Sequence, residues 1–479
     1  MLNIIIFGTG SSAEKLLPTI DDNKVRIIAF SDNDKTKHHT TFYQYNIIPP
    51  EKIVEQNFDY IIIASQFSDE IMSQLLKLGI DYKSIIPMDY ERHNWLMRIE
   101  YKNTHKIIKK KTQHPISKKL KFALINYNYS NYHGYALYKY IPQYILDKYE
   151  VDLIEKKDYR KLAVYDVICS SHFDGIYDSN KIHIEMWHGF PLKKMGILAD
   201  EDLVKDEIEG RLINIQKRLQ NTQLIFSYSS FYTTLFNSSF PSTYDKYAIT
   251  GMPRNDLLFE NNGMEKLQAI TKKDLDKLNV LFYLPTWRKG KNEWVDSTRT
   301  WTRLFGFEDE SENDIIQMIE NNNLFLVVKL HPFEYNMYKD LEVFTHNQVY
   351  LLTDDELFKH KIHLYELLSA AKLLITDYSS VFFDTLLIDL PTIFAPTDLS
   401  EYEKNRGFLI DPYDVMTPGP TVNTLQELNK EITNVLNGVD RYKDKRELVK
   451  NIVFKYKDNK ASERVWKEID NYLTKLISN

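Results

Sequence analysis

Five strand-like apolar runs in this 479-residue chain each lead directly into a polar motif bearing glycine, proline or a hydroxyl. KIHIEM is followed by Trp187-His188-Gly189, YAIT by Gly251-Met252-Pro253-Arg254, and VLFYL by Pro285-Thr286-Trp287-Arg288. LFLVVKL is followed by His331-Pro332, and KLLI by Thr376-Asp377-Tyr378-Ser379-Ser380. Short continuous apolar runs between amphipathic segments mark strands of a parallel sheet, because helices cover both of its faces. In open α/β sheets ligands bind outside the carboxyl ends of the strands. Several strands ending in hydroxyls, imidazoles and guanidiniums therefore predict one shared site, and these residue types suit a phosphorylated ligand.

The chain is too long for one ordinary core, so two or three domains are expected. Residues 1–97 alternate strand and helix patterns and read as a small Rossmann-like unit. Its first turn, Gly8-Thr9-Gly10-Ser11-Ser12-Ala13, with Asp32 about 20 residues on, matches the G-x-G-x-x-A dinucleotide fingerprint. Gly8, Gly10 and Asp32 are thus candidates for a second nucleotide site; the alternative is a structural or docking role, since the same glycines also pack strand against helix. The unit resembles small Rossmann-like domains appended to polysaccharide-biosynthesis enzymes. Residues 98–121 hold eight lysines and no acidic residue after Glu100, and read either as a solvated linker or as a polybasic segment drawn to an anionic membrane surface. Residues 122–265 and 266–440 each carry a further strand–helix series, and 441–479 have the apolar spacing of helices that pack back onto a domain. The predicted class is α/β of GT-B type: two Rossmann-like domains facing a cleft, preceded by the small unit.

A net charge of −6 argues against bulk attraction to nucleic acid. The lone Cys169 excludes an intrachain disulfide framework and reads as a core residue in a reducing compartment. No stretch reaches the ~18 to 20 apolar residues of a membrane span, and the amino terminus reads as a strand rather than a signal peptide, so membrane association is expected to be peripheral.

Ser379 and Ser380 precede a helical pattern, where unpaired amides and hydroxyls attract phosphate, although a cap explains one of them. His331, at a strand exit ended by proline, lies in the same half as Thr286 and Arg288, a pair able to hold a diphosphate. His188, followed by Gly189, belongs to the other half; its imidazole can take a proton from an alcohol. Lys193 is either an anion contact or surface charge, and Arg254 is the charged member of a turn otherwise explained by backbone geometry. His360 and His363 have metal spacing but no third ligand, so a helix surface is expected and no metal. The acidic run Glu308 to Asp314 reads as an exposed loop.

WHGFPLKKMG, GMPRNDLL, LPTWR, KLHPFE, ITDYSSVFFDTLLIDLPTIF, EYEKNRGFLID with Pro418-Gly419-Pro420, and NKASERV occur in this order over roughly residues 180–467. Together they resemble the CDP-glycerol glycerophosphotransferases, the teichoic-acid primases and polymerases. The resemblance implies transfer of glycerol phosphate or ribitol phosphate from CDP-glycerol or CDP-ribitol to a hydroxyl of a lipid-linked or glycan acceptor, with release of CMP. It implies His188 as base, His331 on the diphosphate, Ser379 and Ser380 at the donor phosphate, and the Gly419 loop at the border of the donor pocket; Asp377, in the same motif as the serines, is a further substrate-binding candidate. No cofactor is implied, and the expected location is cytoplasmic, peripheral on the inner face of the bacterial plasma membrane. Phe190 stands where the family commonly has threonine, and the amino-terminal unit is not the family's usual targeting segment, so a capsule is as open as a teichoic acid. A sugar-transferring GT-B enzyme and a non-catalytic scaffold are the rival readings.

Overall fold

The computed structural model describes residues 2–87 (except 21, 24 and 66), 119–154, 162–173 (except 163), 181–199, 212–288 (except 214 and 217) and 302–478 (except 333). Most of the basic 98–121 segment lies outside the described residues.

Three parallel sheets follow one another along the chain. The first takes β1 (Leu2–Phe7), β2 (Val25–Ser31), β3 (Thr41–Phe42), β4 (Tyr45–Ile48), β5 (Tyr60–Ile63) and β6 (Ile85–Pro87) in the order β3-β4-β2-β1-β5-β6. Only the β3–β4 pair is antiparallel. Ile4, Ile5, Ile6, Ile61, Ile62 and Ile63 are fully buried, as central strands covered on both faces require.

The second sheet comprises β7 (Lys121–Ile125), β8 (Glu150–Ile154), β9 (Val167–Ser170), β10 (Ile182–Glu185), β11 (Thr222–Ser227) and β12 (Tyr247–Ile249), ordered β12-β11-β10-β9-β7-β8. The third comprises β13 (Asn279–Tyr283), β14 (Leu324–Val328), β15 (Val349–Leu351), β16 (Leu373–Thr376) and β17 (Thr392–Phe394), ordered β15-β14-β13-β16-β17. Cys169 sits in β9 with no exposure, and burial drives its thiol pKa far up, so it behaves as a small core residue.

The second and third sheets share one continuous hydrophobic core. Phe190, from the segment after β10, stacks on Phe383 of the helix Val381–Thr385 with ring centroids 3.9 Å apart. The lobes are also joined by a strand-like bridge between Lys193 and Phe408, with the Leu409 amide donating to the Leu192 carbonyl at 2.8 Å.

The helix Ala461–Ser478 returns to the second sheet. Trp466, fully buried, packs its ring on Phe122 at 5.6 Å and donates from Nε1 to the Leu137 carbonyl at 3.0 Å. The Asp256 carboxylate receives the Ala461 and Ser462 amides at 2.9 and 2.7 Å, serving as an N-cap supplied from a distant segment. Pro253–Phe259 forms a 3-10 helix rather than the simple turn expected.

Of the acidic run, only the first part is a loop: Ser311 caps a helix that begins at Glu312, and Glu310 receives the amides of Phe305, Gly306 and Phe307. His363 departs from the surface position expected of it. It is fully buried at the start of the helix Leu364–Leu367, where Nδ1 accepts from the Tyr365 amide at 3.2 Å and Nε2 meets the Tyr132 carbonyl at 3.1 Å.

Candidate active site

β10 ends in Glu185, a carboxylate 1% exposed inside an apolar strand. Its oxygens receive Ser170 Oγ at 2.6 Å, the Phe173 amide at 2.7 Å and the Trp187 amide at 2.7 Å. One buried acid thereby fixes the loops leaving β9 and β10. His188 follows directly; its Nδ1 lies 2.8 Å from the Ser171 carbonyl oxygen. A carbonyl has no proton to give, so Nδ1 carries the hydrogen and the lone pair of the neutral ring sits on Nε2.

The main chain of His188 is held as firmly. Arg254 donates from Nη1 to the His188 carbonyl at 2.6 Å and from Nη2 to Asp384 at 2.7 Å, and is itself 1% exposed. Burial alone would lower the pKa of Arg254, but Asp384 outweighs it and holds the guanidinium well above its ordinary value. Asp384 belongs to the helix Val381–Thr385 and also accepts from Tyr228 Oη and Tyr365 Oη, each at 2.5 Å. The helix that follows Ser379 and Ser380 is therefore tied through Asp384 and Arg254 to the backbone of His188 in the opposite lobe. Arg254 is a strut between lobes, which its place in a supposed turn did not suggest.

Gly189 lies where the lobes come closest: a Cβ built there would stand 2.8 Å from Ser380 Oγ. Ser380 makes no side-chain cap to its helix, and both serines are partly exposed. Lys193 reaches across to donate to Thr286 Oγ1 at 3.3 Å. His331 stands at the exit of β14, with its ring 5.7 Å from that of Trp287. Burial, then the positive charge of Lys329, pushes its pKa down to about 4 against an opposing pull from Asp354, with Lys193 adding a smaller push, so the ring is neutral near pH 7.

Two residues expected at the ligand, Arg288 and Asp377, are engaged by partners within their own lobe. Arg288 does not present its fork to the cleft: Nη1 donates to Asp377 at 2.6 Å, while Nε and Nη2 donate to Asp398, both at 2.8 Å. The guanidinium is 1% exposed and lies 4.9 Å from the Tyr378 ring centroid. Asp377, fully buried, also receives the Thr286 amide at 2.8 Å and the Tyr378 amide at 2.5 Å. A buried unpaired charge is costly, so these two residues satisfy each other and shape the loops that carry Thr286 and the serines.

Gly419 is likewise explained by packing, since a Cβ there would meet the Thr392 carbonyl oxygen of β17 at 1.9 Å. In the amino-terminal unit Gly8 has φ +106° and backs onto the Ala64 carbonyl, while Gly10 has open space around it. Asp32 accepts from the Thr9 amide at 3.0 Å and pairs with Lys37 at 3.2 Å. Among the described residues no cluster of three or more His, Cys, Asp or Glu side chains could hold a metal ion.

Residues 127–471 match the family described as CDP-glycerol:poly(glycerophosphate) glycerophosphotransferase, and residues 1–86 match the C2185-like amino-terminal family. The chain belongs to the former family, which makes it an enzyme of the CDP-glycerol glycerophosphotransferase type. It is similar to the teichoic acid glycerol-phosphate transferase of Staphylococcus aureus, with 25% identity over 62% of this chain and 73% of that protein. It is 28% identical to the teichoic acid poly(glycerol phosphate) polymerase of Bacillus subtilis over 54% of this chain but only 33% of that protein. A ribitol-phosphate polymerase of Staphylococcus aureus, TarK, is 26% identical over 46% of this chain and 40% of that protein. Among solved structures, the wall teichoic acid polymerase TagF superposes with TM-score 0.62 at 19% identity, covering 86% of this chain and 99% of that one. That likeness shows the fold.

Proposed function

We propose that this enzyme transfers glycerol phosphate or ribitol phosphate from a CDP-activated donor to a hydroxyl of a membrane-associated glycan or polymer acceptor, releasing CMP. The two lobes act as a GT-B pair, and the amino-terminal sheet is a separate Rossmann-like unit. The observation that carries the reading is His188, with its proton fixed on Nδ1, beside a glycine that lets the opposite lobe's serine turn approach closely.

His188 Nε2 takes the proton of the acceptor hydroxyl as its oxygen bonds to the donor's β-phosphorus. The bond from that phosphorus to the bridging oxygen breaks, and the electron pair leaves with CMP. Imidazole bases of this kind contribute ~10² to 10⁴ in rate. His331, neutral at working pH, hydrogen-bonds the diphosphate without competing for the acceptor's proton. Lys193 and the hydroxyls of Thr286, Ser379 and Ser380 offset the charge that develops. No cofactor or metal enters this scheme, and nucleic acid is not a partner. The work takes place in the cytoplasm, with the protein peripheral on the inner face of the membrane. One relative's histidine-to-asparagine variant was soaked with CDPG, which supports a CDP-glycerol donor here.

The test is incubation with CDP-glycerol and CDP-ribitol, each with a glycan acceptor, followed by measurement of CMP and analysis of the product linkage. A phosphodiester product is expected. A glycosidic product from a nucleotide sugar, or no turnover of either CDP-polyol, overturns the proposal.

A further inference from the structure

His188 has a neighbour that the mechanism above does not use. His172, on the loop leaving β9, places its Nδ1 3.3 Å from His188 Nδ1. Its ring lies nearly parallel to Trp187, at 5.5 Å and 11° between planes, and 4.9 Å from the ring of His188. The pairing is built: Glu185 fixes both loops through the Phe173 and Trp187 amides. The residue after His172 and the residue before His188 are both in the left-handed region, with φ 51° at Phe173 and 33° at Trp187. For aromatic residues that conformation is strained, and it persists only where surroundings enforce it.

The protonation logic follows from the partners. His188 Nδ1 carries a hydrogen because it faces the Ser171 carbonyl at 2.8 Å. The His172 nitrogen beside it must then offer a lone pair, so neutral His172 carries its own proton on Nε2. Groups near the pair among the described residues include Tyr132, with its ring 5.7 Å from His188, buried His133 on the Trp187 carbonyl, and Arg254 on the His188 carbonyl. Burial and then Arg254 hold His133 well below the ordinary imidazole range, so it remains neutral.

We infer that His172 is a positioning residue for the base: its Nδ1, at 3.3 Å, is the longer arm of a three-centre bond in which the one His188 Nδ1–H is shared with the Ser171 carbonyl at 2.8 Å, and that arm strengthens when His188 takes the acceptor's proton. This rests on the proposed role of His188. A hydrogen bond to the charged form raises a base's pKa, so His172 makes His188 the stronger base. Conversely, a proton on His172 would set two N–H groups against each other and weaken the base.

Two variants separate an acceptor role from a merely structural one. His172→Phe keeps a flat ring on Trp187 but removes the acceptor; His172→Asn loses the ring but puts a carbonyl oxygen near the place of Nδ1. The readout is the imidazole ¹⁵N spectrum of the full chain over a pH series, which needs no turnover. In His172→Phe the His188 titration should move to lower pH by roughly half to one unit, while His172→Asn should leave it near the wild-type position. The acid limb of kcat/KM for CMP release should move the same way. An unchanged His188 titration in His172→Phe, or an equal displacement in both variants, overturns the inference. The expected shifts in a protein that releases no CMP would overturn the transferase reading alone.

Discussion

The turn at the end of β1 and the loop at the end of β13 use the same local chemistry to different ends. In the first, Asp32 at the end of β2 receives the Thr9 amide at 3.0 Å and pairs with Lys37 at 3.2 Å, with 14% of the carboxylate side chain exposed. In the second, Asp377 at the end of β16 receives the Thr286 amide at 2.8 Å and pairs with Arg288 at 2.6 Å, with neither ionic side chain more than 1% exposed. The partners of Asp32 named here lie within residues 9–37, so that turn is braced from inside its own unit. Thr286 is also met by Lys193 from the opposite lobe. An aspartate that braces a loop is thus not itself evidence of a ligand; what distinguishes the second place is the apposition of another domain's side chains.

That contrast can be broken by measurement. The largest effect expected is on turnover: His188→Ala should lower kcat by ~10² to 10⁴ with its fold intact, and near-normal CMP release would remove the base from the mechanism. Next is stability. Asp377→Asn leaves Arg288 partly unpaired in a dry setting and should cost about 3–5 kcal/mol, read as a fall in the urea midpoint.

A pH effect comes third. His363 and His331 have folded pKa values of about 3 and about 4, chiefly because burial disfavours the cation. Each folded ring binds fewer protons than its unfolded counterpart, so stability is fully present above pH ~6.5 and falls as pH drops toward those values, by up to about 1.4 kcal/mol per pH unit per histidine. Urea midpoints between pH 7.5 and 5 check the sign; a rise in stability on acidification would contradict the burial described. Smallest is Asp32→Asn, whose partly exposed pair should contribute no more than about 1 kcal/mol, with CMP release unchanged. A loss as large as that of Asp377→Asn would erase the distinction between the two regions.

Most of the sheet framework was legible because most of its strands lie in largely apolar runs between amphipathic segments. Thr41–Phe42 and Val349–Leu351 were not, since two or three residues carry no period. The motif positions were legible as strand exits, but which of their side chains face the cleft was not. Arg288 and Arg254 read as free cations until Asp398 and Asp384, more than a hundred residues away in sequence, were placed beside them. Glu185 did leave a signal, an acid in the middle of KIHIEM, where a charge is tolerated only if fully satisfied. His172 left only its place after an apolar run, the same signal that marked His188.

The cap that Asp256 provides to the helix Ala461–Ser478 also bears on how the protein is made. Trp466 closes over Phe122 and Leu137, a wall of the lobe that carries His188, yet it lies more than three hundred residues downstream of them. On the ribosome that lobe must wait, its flank bare, while the whole third sheet is translated. That lobe is therefore closed only after residues 461–478 have emerged, so a nascent chain cut short before them carries the strand-exit motifs described above and lacks the lid on its core.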